Sequence, residues 1–390
     1  MHIVVVGGKD PNDLSSWSGT PRSLVGSLRQ SGHRVTTIGP LARPSLKVWS
    51  KEILYRQIIG KSYLSIRDPK VARARAVEAS DQLRRQDSVD LVMTLHSADA
   101  AYLRCEAPII LVHDVTWHQL LDFYPFYRRS GLAIESMEGG YELDKEAFSN
   151  CAHMIFSSDW AAASAMRDYG VERTRISIQH FGPNLRHVPN RDQLQEIIGR
   201  RGRGPCRLLF VGIDWMRKGG DLAIAIAKEL RGRGLPVELE IVGCNPPVSA
   251  HGVVRRFGFL SKTDSQQEHR IEQLYAEADF LLLPTRADCC PIVLSEATAN
   301  GLPVAATAVG GIAEVFDRSN WGIALPLDAE AKAYANWLHD TYADRTRYQR
   351  TAWMARDVYD ANLNWDAYCA RIEAISDWLL EAPPPRPRLA

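Results

Sequence analysis

Leu208-Leu209-Phe210-Val211-Gly212-Ile213-Asp214-Trp215-Met216-Arg217-Lys218-Gly219-Gly220 is the stretch on which the fold turns. An apolar run ends in Gly212, a short loop carries Arg217-Lys218-Gly219, and an amphipathic segment begins behind it. A short apolar run closed by glycine reads as a buried strand. Strand, loop and helix in that order is the repeating unit of open parallel α/β sheets, which bind ligands at the carboxyl ends of their strands. Arg217 and Lys218 beside a helix start bring positive charge and backbone N–H groups to one place, which suits a diphosphate. The plainer alternative is a solvated basic loop.

The same alternation runs outward in both directions. In the N-terminal half, apolar runs at 3–6, 34–38, 91–95, 108–112, 154–156 and 176–180 read as strands, with helices over 21–31, 141–150 and 159–169. In the C-terminal half, strands are expected at 207–211, 237–242, 253–257, 280–283 and 303–306. The chain of 390 residues is long enough for two domains. Alternating β and α in both halves predicts two doubly wound α/β domains. Residues 1–185 form the first; 186–204, rich in Gly and Arg, read as a linker; and 205–355 form the second. The segment 356–380 is helical in pattern, and the Pro- and Arg-rich end, 381–390, reads as disordered.

Composition narrows the class. With 45% hydrophobic and 24% charged residues the chain is globular, and a net charge of +1 speaks against bulk binding of nucleic acid. Seven cysteines lack any Cys-x-x-Cys spacing, so the thiols are expected to be reduced. The chain opens directly into an apolar strand, and no apolar run reaches the ~18 residues of a membrane span. The expectation is a cytoplasmic protein.

A second stretch carries the chemistry. Asp288-Cys289-Cys290-Pro291-Ile292-Val293-Leu294-Ser295-Glu296 sets two carboxylates eight positions apart, and Gly301-Leu302-Pro303-Val304 and Val309-Gly310-Gly311 follow. An ionised carboxylate accepts from both hydroxyls of a vicinal diol. A helix starting near Pro291 would leave its first N–H groups free to point at a ligand. The alternative is a loop aspartate followed by an ordinary helical glutamate.

Carboxylates, helix start, Gly-Leu-Pro-Val strand and glycine turn, in this order, resemble the donor-sugar motif of the group 1 family of retaining GT-B-fold glycosyltransferases. The resemblance implies two Rossmann-like domains with a cleft between them, the acceptor held by the first, a nucleotide sugar by the second, and a C-terminal helix crossing back. It implies donor contacts from Gly212, Arg217, Lys218, Asp288, Cys290, Pro291, Ile292, Val293 and Glu296, with Asp288 facing the sugar and Glu296 the ribose. Two departures stand out. The family usually has Glu where this chain has Asp288, and many members carry Arg directly after the strand-ending glycine, where this chain has Ile213-Asp214.

The N-terminal signals are weaker. Ser15-Ser16-Trp17-Ser18-Gly19-Thr20-Pro21 looks like the family's glycine-rich acceptor loop, with Gly19 and Thr20 as contacts, although it contains no Gly-x-Gly-x-x-Gly. His113 and Asp114 follow the strand at 108–112. Many relatives carry a histidine there that touches the donor sugar; a structural histidine is the alternative. Asp114, Thr116 and Tyr124 are expected to line the same surface, Asp114 and Tyr124 as acceptor contacts. Asn184 matches the family's hinge-side turn.

By this resemblance the chain moves a hexose from a nucleotide sugar, UDP-sugar first and GDP-mannose next, to a glycan, lipid-linked or small-molecule acceptor. His113, Asp288, Arg217 and Lys218 are the catalytic set. No Asp-x-Asp occurs in the sequence, so no metal or other cofactor is expected, and the two cations would stabilise the departing diphosphate. A diphosphate oxygen would take the acceptor's proton. A GT-B-fold epimerase and a non-catalytic nucleotide-sugar binder are the rival readings. A dehydrogenase lacks support, since no dinucleotide fingerprint follows the first strand.

Two further segments read as ordinary surface or core. Residues 46–64 carry Lys47, Lys51, Arg56 and Lys61 among apolar side chains; the stripe is expected to face the core, with weak peripheral membrane contact as the alternative. Arg255-Arg256 reads as a solvated strand face rather than a contact to the nucleotide base.

Overall fold

β1 (His2–Val6) is buried along its whole length, as expected for a strand flanked on both sides in a parallel sheet. The computed structural model describes residues 1–42, 44–246, 252–316 and 320–381. β1 joins β2 (Arg34–Ile38), β3 (Leu91–Thr94), β4 (Ile109–His113), β5 (His153–Phe156) and β6 (Ile176–Ile178) in a parallel sheet of order β2-β1-β3-β4-β5-β6. The second sheet holds β7 (Cys206–Val211), β8 (Val237–Val242), β9 (Val254–Gly258), β10 (Phe280–Leu283), β11 (Val304–Thr307) and β12 (Gly322–Leu325), in the order β12-β11-β10-β7-β8-β9. Its neighbours are parallel throughout. Read from β9, this is the doubly wound order of dinucleotide-binding folds, reversing between β7 and β10.

The chain divides into two compact units. One is Met1–His180 together with the last helix, Trp365–Glu381; the other is Phe181–Asn364. In the first, Val4, Val92, Leu111 and Met154 pack with Leu143 and Phe148 of the helix Ile134–Asn150. The last helix lies on the helix Thr20–Gln30, and His33 Nε2 meets Glu373 Oε1 at 2.9 Å. In the second unit, Leu208, Phe210, Leu239 and Ile241 pack under the helix Gly220–Gly232 on one face. Leu209, Leu281 and Ala306 pack under the helix Ser265–Glu277 on the other.

Several expectations are corrected. Residues 186–204 are not a linker: the helix Arg191–Arg200 starts on a reciprocal capping box between Asn190 and Gln193, and it buries Leu194 and Ile198 against Ala352. Arg201 is buried behind it, donating to the carbonyl oxygens of Tyr275, Ala276, Asn300 and Gly301 at 2.8–3.1 Å. The density of Gly and Arg suggested a solvated connection, but guanidinium groups in this segment tie helix ends together. The helix expected over 356–380 is two: Arg345–Ala361 belongs to the C-terminal unit, and the chain breaks before Trp365, where Asn364 donates to the carbonyls of Tyr359 and Asp360. β12, half-buried at the sheet edge, had no clear apolar signal. The helix Leu46–Leu54 contains no buried residue, so its stripe does not face the core. Of the end expected to be disordered, 381–390, Glu381 is the last residue of the helix that starts at Trp365, and 382–390 lie outside the described residues. No described helix is long and apolar enough to cross a membrane.

Candidate active site

The loops that follow β7 and β10 meet at the strand-order reversal of the C-terminal sheet. Neighbouring strands whose connections leave in opposite directions open a crevice at their carboxyl ends. Both expected motifs lie on these loops. Lys218, buried, donates from Nζ to Asp288 Oδ2. Arg217 Nη1 donates to the Ala287 carbonyl at 2.8 Å and stands 3.6 Å from Asp288 Oδ2. The Arg217 carbonyl in turn accepts from the Arg286 N–H at 2.7 Å and from Thr285 Oγ1 at 3.2 Å. Two cations and one carboxylate are thus fixed by the backbones of two adjacent strand ends.

Glycine makes that closeness possible. A Cβ on Gly212 would sit 2.7 Å from Lys218 Cγ, so the strand-ending glycine gives the lysine its path. Gly310, with φ +57°, approaches the Asp288 loop so tightly that a Cβ would lie 2.0 Å from the Asp288 carbonyl. The Gly311 N–H then donates to the Cys289 carbonyl at 3.0 Å. The Gly310-Gly311 turn is the clamp that holds the Asp288 loop in place.

Glu296 lies in the first turn of the helix Val293–Ala299. This helix starts two residues later than expected: Pro291 and Ile292 precede it, with the Leu294 N–H donating to the Pro291 carbonyl at 3.0 Å. Glu296 is buried and doubly engaged. Oε1 accepts from Lys262 Nζ and Oε2 from the Tyr275 hydroxyl, each at 2.7 Å. Lys262 Nζ also donates to the Asn184 carbonyl at 2.7 Å. Burial, reinforced by the Glu296 charge, raises the Tyr275 hydroxyl well above its ordinary pKa, so it remains a donor. Cys290 and Ile292 are half-buried on the connecting turn, and Pro291 and Val293 are buried.

Sequence reading missed Lys262 and Tyr275. Tyr275 sits beside Ile271 and Leu274 at helical spacing and reads as core, while Lys262 lies in a polar loop after β9 with no motif around it. Arg255, also expected on a solvated strand face, stands 3.7 Å from the buried Glu240 on the neighbouring strand.

The residues expected for the acceptor belong to the other compact unit. Gly19, with φ +88°, caps the helix that Thr20 and Pro21 open, and Thr20 is buried. Asp114 and Tyr124 are half-buried on the connections after β4. Thr116 is taken up by structure: its hydroxyl accepts from the Gln119 N–H at 3.3 Å and meets Ser164 Oγ at 2.6 Å. His113 ends β4 and is buried among the rings of His96, Phe148 and Phe156. Neither of its nitrogens has a hydrogen-bond partner among the described residues, and burial pushes its pKa down to about 4. It is a neutral imidazole at physiological pH.

Residues 205–344 match the family described as Glycosyl transferases group 1. Over 189 residues the chain is 35% identical to the lipopolysaccharide glucosyltransferase WaaG of Escherichia coli, covering 45% of this chain and 50% of that one. The fold matches sucrose-phosphate synthase from Thermosynechococcus elongatus with a TM-score of 0.70 at 16% identity, over 98% of this chain and 100% of that one. It also matches Anabaena Alr3699/HepE, solved in complex with UDP, with a TM-score of 0.62 at 14% identity, over 97% and 100% of the two chains. The chain spans about half the length of the curated relatives it matches. The fold is that of the GT-B glycosyltransferases, and the segment that follows the first sheet, residues 205–344, is similar to the glycosyl transferases group 1 family.

Proposed function

We propose that this chain is a retaining glycosyltransferase that moves a hexose from a nucleotide sugar, UDP-sugar before GDP-mannose, to a glycan, lipid-linked or small-molecule acceptor. The observation that carries the proposal is the contact of Arg217 and Lys218 with Asp288 at the strand-order reversal, inside the family-matched segment. A relative named as a lipopolysaccharide glucosyltransferase and a structural neighbour holding UDP support it.

In this proposal a donor diphosphate lies against Arg217 and Lys218, whose charge is already oriented by Asp288 before anything binds. Fixed cations in a partly buried place stabilise the charge that develops as the diphosphate leaves, without reorganising water at that moment. They supply what a divalent metal supplies elsewhere, so activity is expected to survive EDTA. Glu296 retains lone pairs beyond those engaged by Lys262 and Tyr275, so a ribose diol can add to the existing bonds. His113, being neutral, can give or accept a hydrogen bond but carries no charge to the sugar. Gly19, Thr20, Asp114 and Tyr124 are proposed to meet the acceptor.

The test is release of nucleoside diphosphate from a panel of UDP-sugars and GDP-mannose, with and without candidate acceptors. Acceptor-dependent release that survives EDTA, with the anomeric configuration kept in the product, is the expected result. Binding with no release would favour a non-catalytic binder. Epimerised sugar without acceptor would favour the epimerase. Activity that vanishes in EDTA and returns with Mn²⁺ would replace the cationic mechanism.

A further inference from the structure

Between Asp288 and Glu296 stand two neighbouring thiols. Cys289 and Cys290 directly follow Asp288, and the chain bends at both. All seven cysteines are thiols, and the other five lie away from this loop. Burial pushes up the pKa of Cys105, Cys151, Cys206, Cys244 and Cys369, to about 12 for Cys151. A thiol held protonated in apolar surroundings is inert. Cys290 is half-buried, within reach of a small oxidant, and the buried Cys289 is its neighbour.

A bond between these neighbours changes the loop that carries them. They are joined by a trans peptide. Consecutive Cα atoms across such a peptide lie about 3.8 Å apart, whereas disulfides usually span about 4.4–6.8 Å between Cα atoms. Closing the small ring therefore twists the Cys289-Cys290 peptide. That peptide is held from outside. The Cys289 carbonyl accepts from the Gly311 N–H at 3.0 Å, and a Cβ on Gly310 would lie 2.0 Å from the Asp288 carbonyl and 3.4 Å from Cys289 Cα. Asp288 in turn holds Lys218 and stands 3.6 Å from Arg217. A loop packed this closely has no slack for the twist, which passes to Asp288 and its cations.

We propose that Cys289 and Cys290 form a redox-modification site, whose oxidation to a disulfide opens the Gly310-Gly311 clamp and draws Asp288 away from Lys218. The oxidant is a small disulfide, of which oxidised glutathione is the probe. The Cys290 thiolate attacks one of its sulfurs and breaks its S–S bond, and the departing glutathione takes up the proton that Cys290 gave. The Cys289 sulfur then attacks the Cys290 sulfur, which forms the protein disulfide and expels a second glutathione with the Cys289 proton. Two protein thiols are oxidised and one small disulfide is reduced to two thiols. A disulfide closed under strain is readily reduced, so this one is reversible, not structural. Loss of the diphosphate site on oxidation is a consequence that rests on the donor reading proposed above.

The experiment treats the full chain with oxidised glutathione, then applies peptide mass mapping, hydrogen exchange, and calorimetry with UDP and GDP, before and after dithiothreitol. The expected product is a peptide spanning 289–290 that has lost two hydrogens and carries no glutathione. Amide exchange at Gly311 should quicken. Affinity for the nucleoside diphosphate that the reduced chain binds should fall roughly tenfold or more, the size of one lost charge-assisted bond. Dithiothreitol should restore both. Cys289→Ser should leave glutathione on Cys290, because the resolving thiol is gone. Cys290→Ser, whatever its starting affinity, should bind equally with and without the oxidant. Cys105→Ser, at the half-buried thiol of the other unit, should respond as the parent chain does. Untouched thiols, glutathione retained on Cys290 of the parent chain, or a bond that leaves Gly311 exchange or nucleotide affinity unchanged would overturn the proposal. If the bond forms and Gly311 exchange quickens while even the reduced chain binds neither UDP nor GDP, the donor reading fails and the modification site stands.

Discussion

At the carboxyl edge of the C-terminal sheet, buried ionic groups stand in pairs, Lys218 on Asp288 and Lys262 on Glu296. At the corresponding edge of the N-terminal sheet, Thr94, His113 and Ser157 bury uncharged polar atoms that have no partner among the described residues. The difference is one of cost. A lone buried charge is expensive enough that its counter-charge must be built in, whereas an unmet hydroxyl or imidazole costs only a few kcal/mol and can persist. The C-terminal edge is therefore organised before any ligand arrives, by groups that a diphosphate and a diol can also use.

Removing a charge from the C-terminal edge is the strongest way to break this contrast. Lys218→Ala leaves Asp288 buried without its main counter-ion and should cost about 3 kcal/mol of stability in urea unfolding. Lys218→Met with Asp288→Asn removes both charges and should recover most of that loss. If the single and double variants are equally stable, the pair is not the organising element.

The N-terminal edge offers a test by pH. His113 has its pKa lowered from 6.5 to about 4 by burial, so the unfolded chain binds the proton more readily than the folded one between those values. The stability this gives is fully present above pH 6.5 and is lost as pH falls toward 4, at no more than about 1.4 kcal/mol per pH unit. His96 and His153 are shifted the same way, so His113→Leu should flatten part of that slope and leave the rest. An unchanged slope would mean that His113 is solvated in solution.

Smaller effects sharpen the roles on the C-terminal side. Glu296→Gln keeps the shape and Tyr275's hydrogen bond but removes the charge facing Lys262. Nucleotide-sugar affinity should fall roughly tenfold, about 1.4 kcal/mol, by calorimetry. Tyr275→Phe removes one donor to Glu296 and should cost about 1 kcal/mol of stability, with a lesser loss of affinity. A larger loss of affinity from Tyr275→Phe than from Glu296→Gln would make the tyrosine the primary contact.

Much of the C-terminal unit was legible in the sequence because its signals are local. A strand closed by Gly212, a basic loop and two carboxylates eight residues apart are all read within short windows. The capping box at Asn190 was also local, but the surrounding Gly and Arg hid it. Lys262 and Tyr275 were illegible for another reason: they reach Glu296 from 34 and 21 residues away, along elements that resemble any other loop and helix. The stripe at 46–59 shows a similar limit. Its periodicity is that of a core-facing helix, and sequence alone does not say which side meets the protein.

Sequence by itself determined the alternation of strand and helix, the two-domain count and the residue types at the reversal of the second sheet, since these depend on short-range pattern and composition. Tertiary structure alone decided which charges meet. It set Lys218 against Asp288 and Lys262 against Glu296, fitted Gly310 against the Asp288 carbonyl, and turned Leu46, Trp49 and Ile58 outward. Hydrogen bonding and burial act on distances between atoms, and those distances exist only once strands far apart in the chain lie side by side.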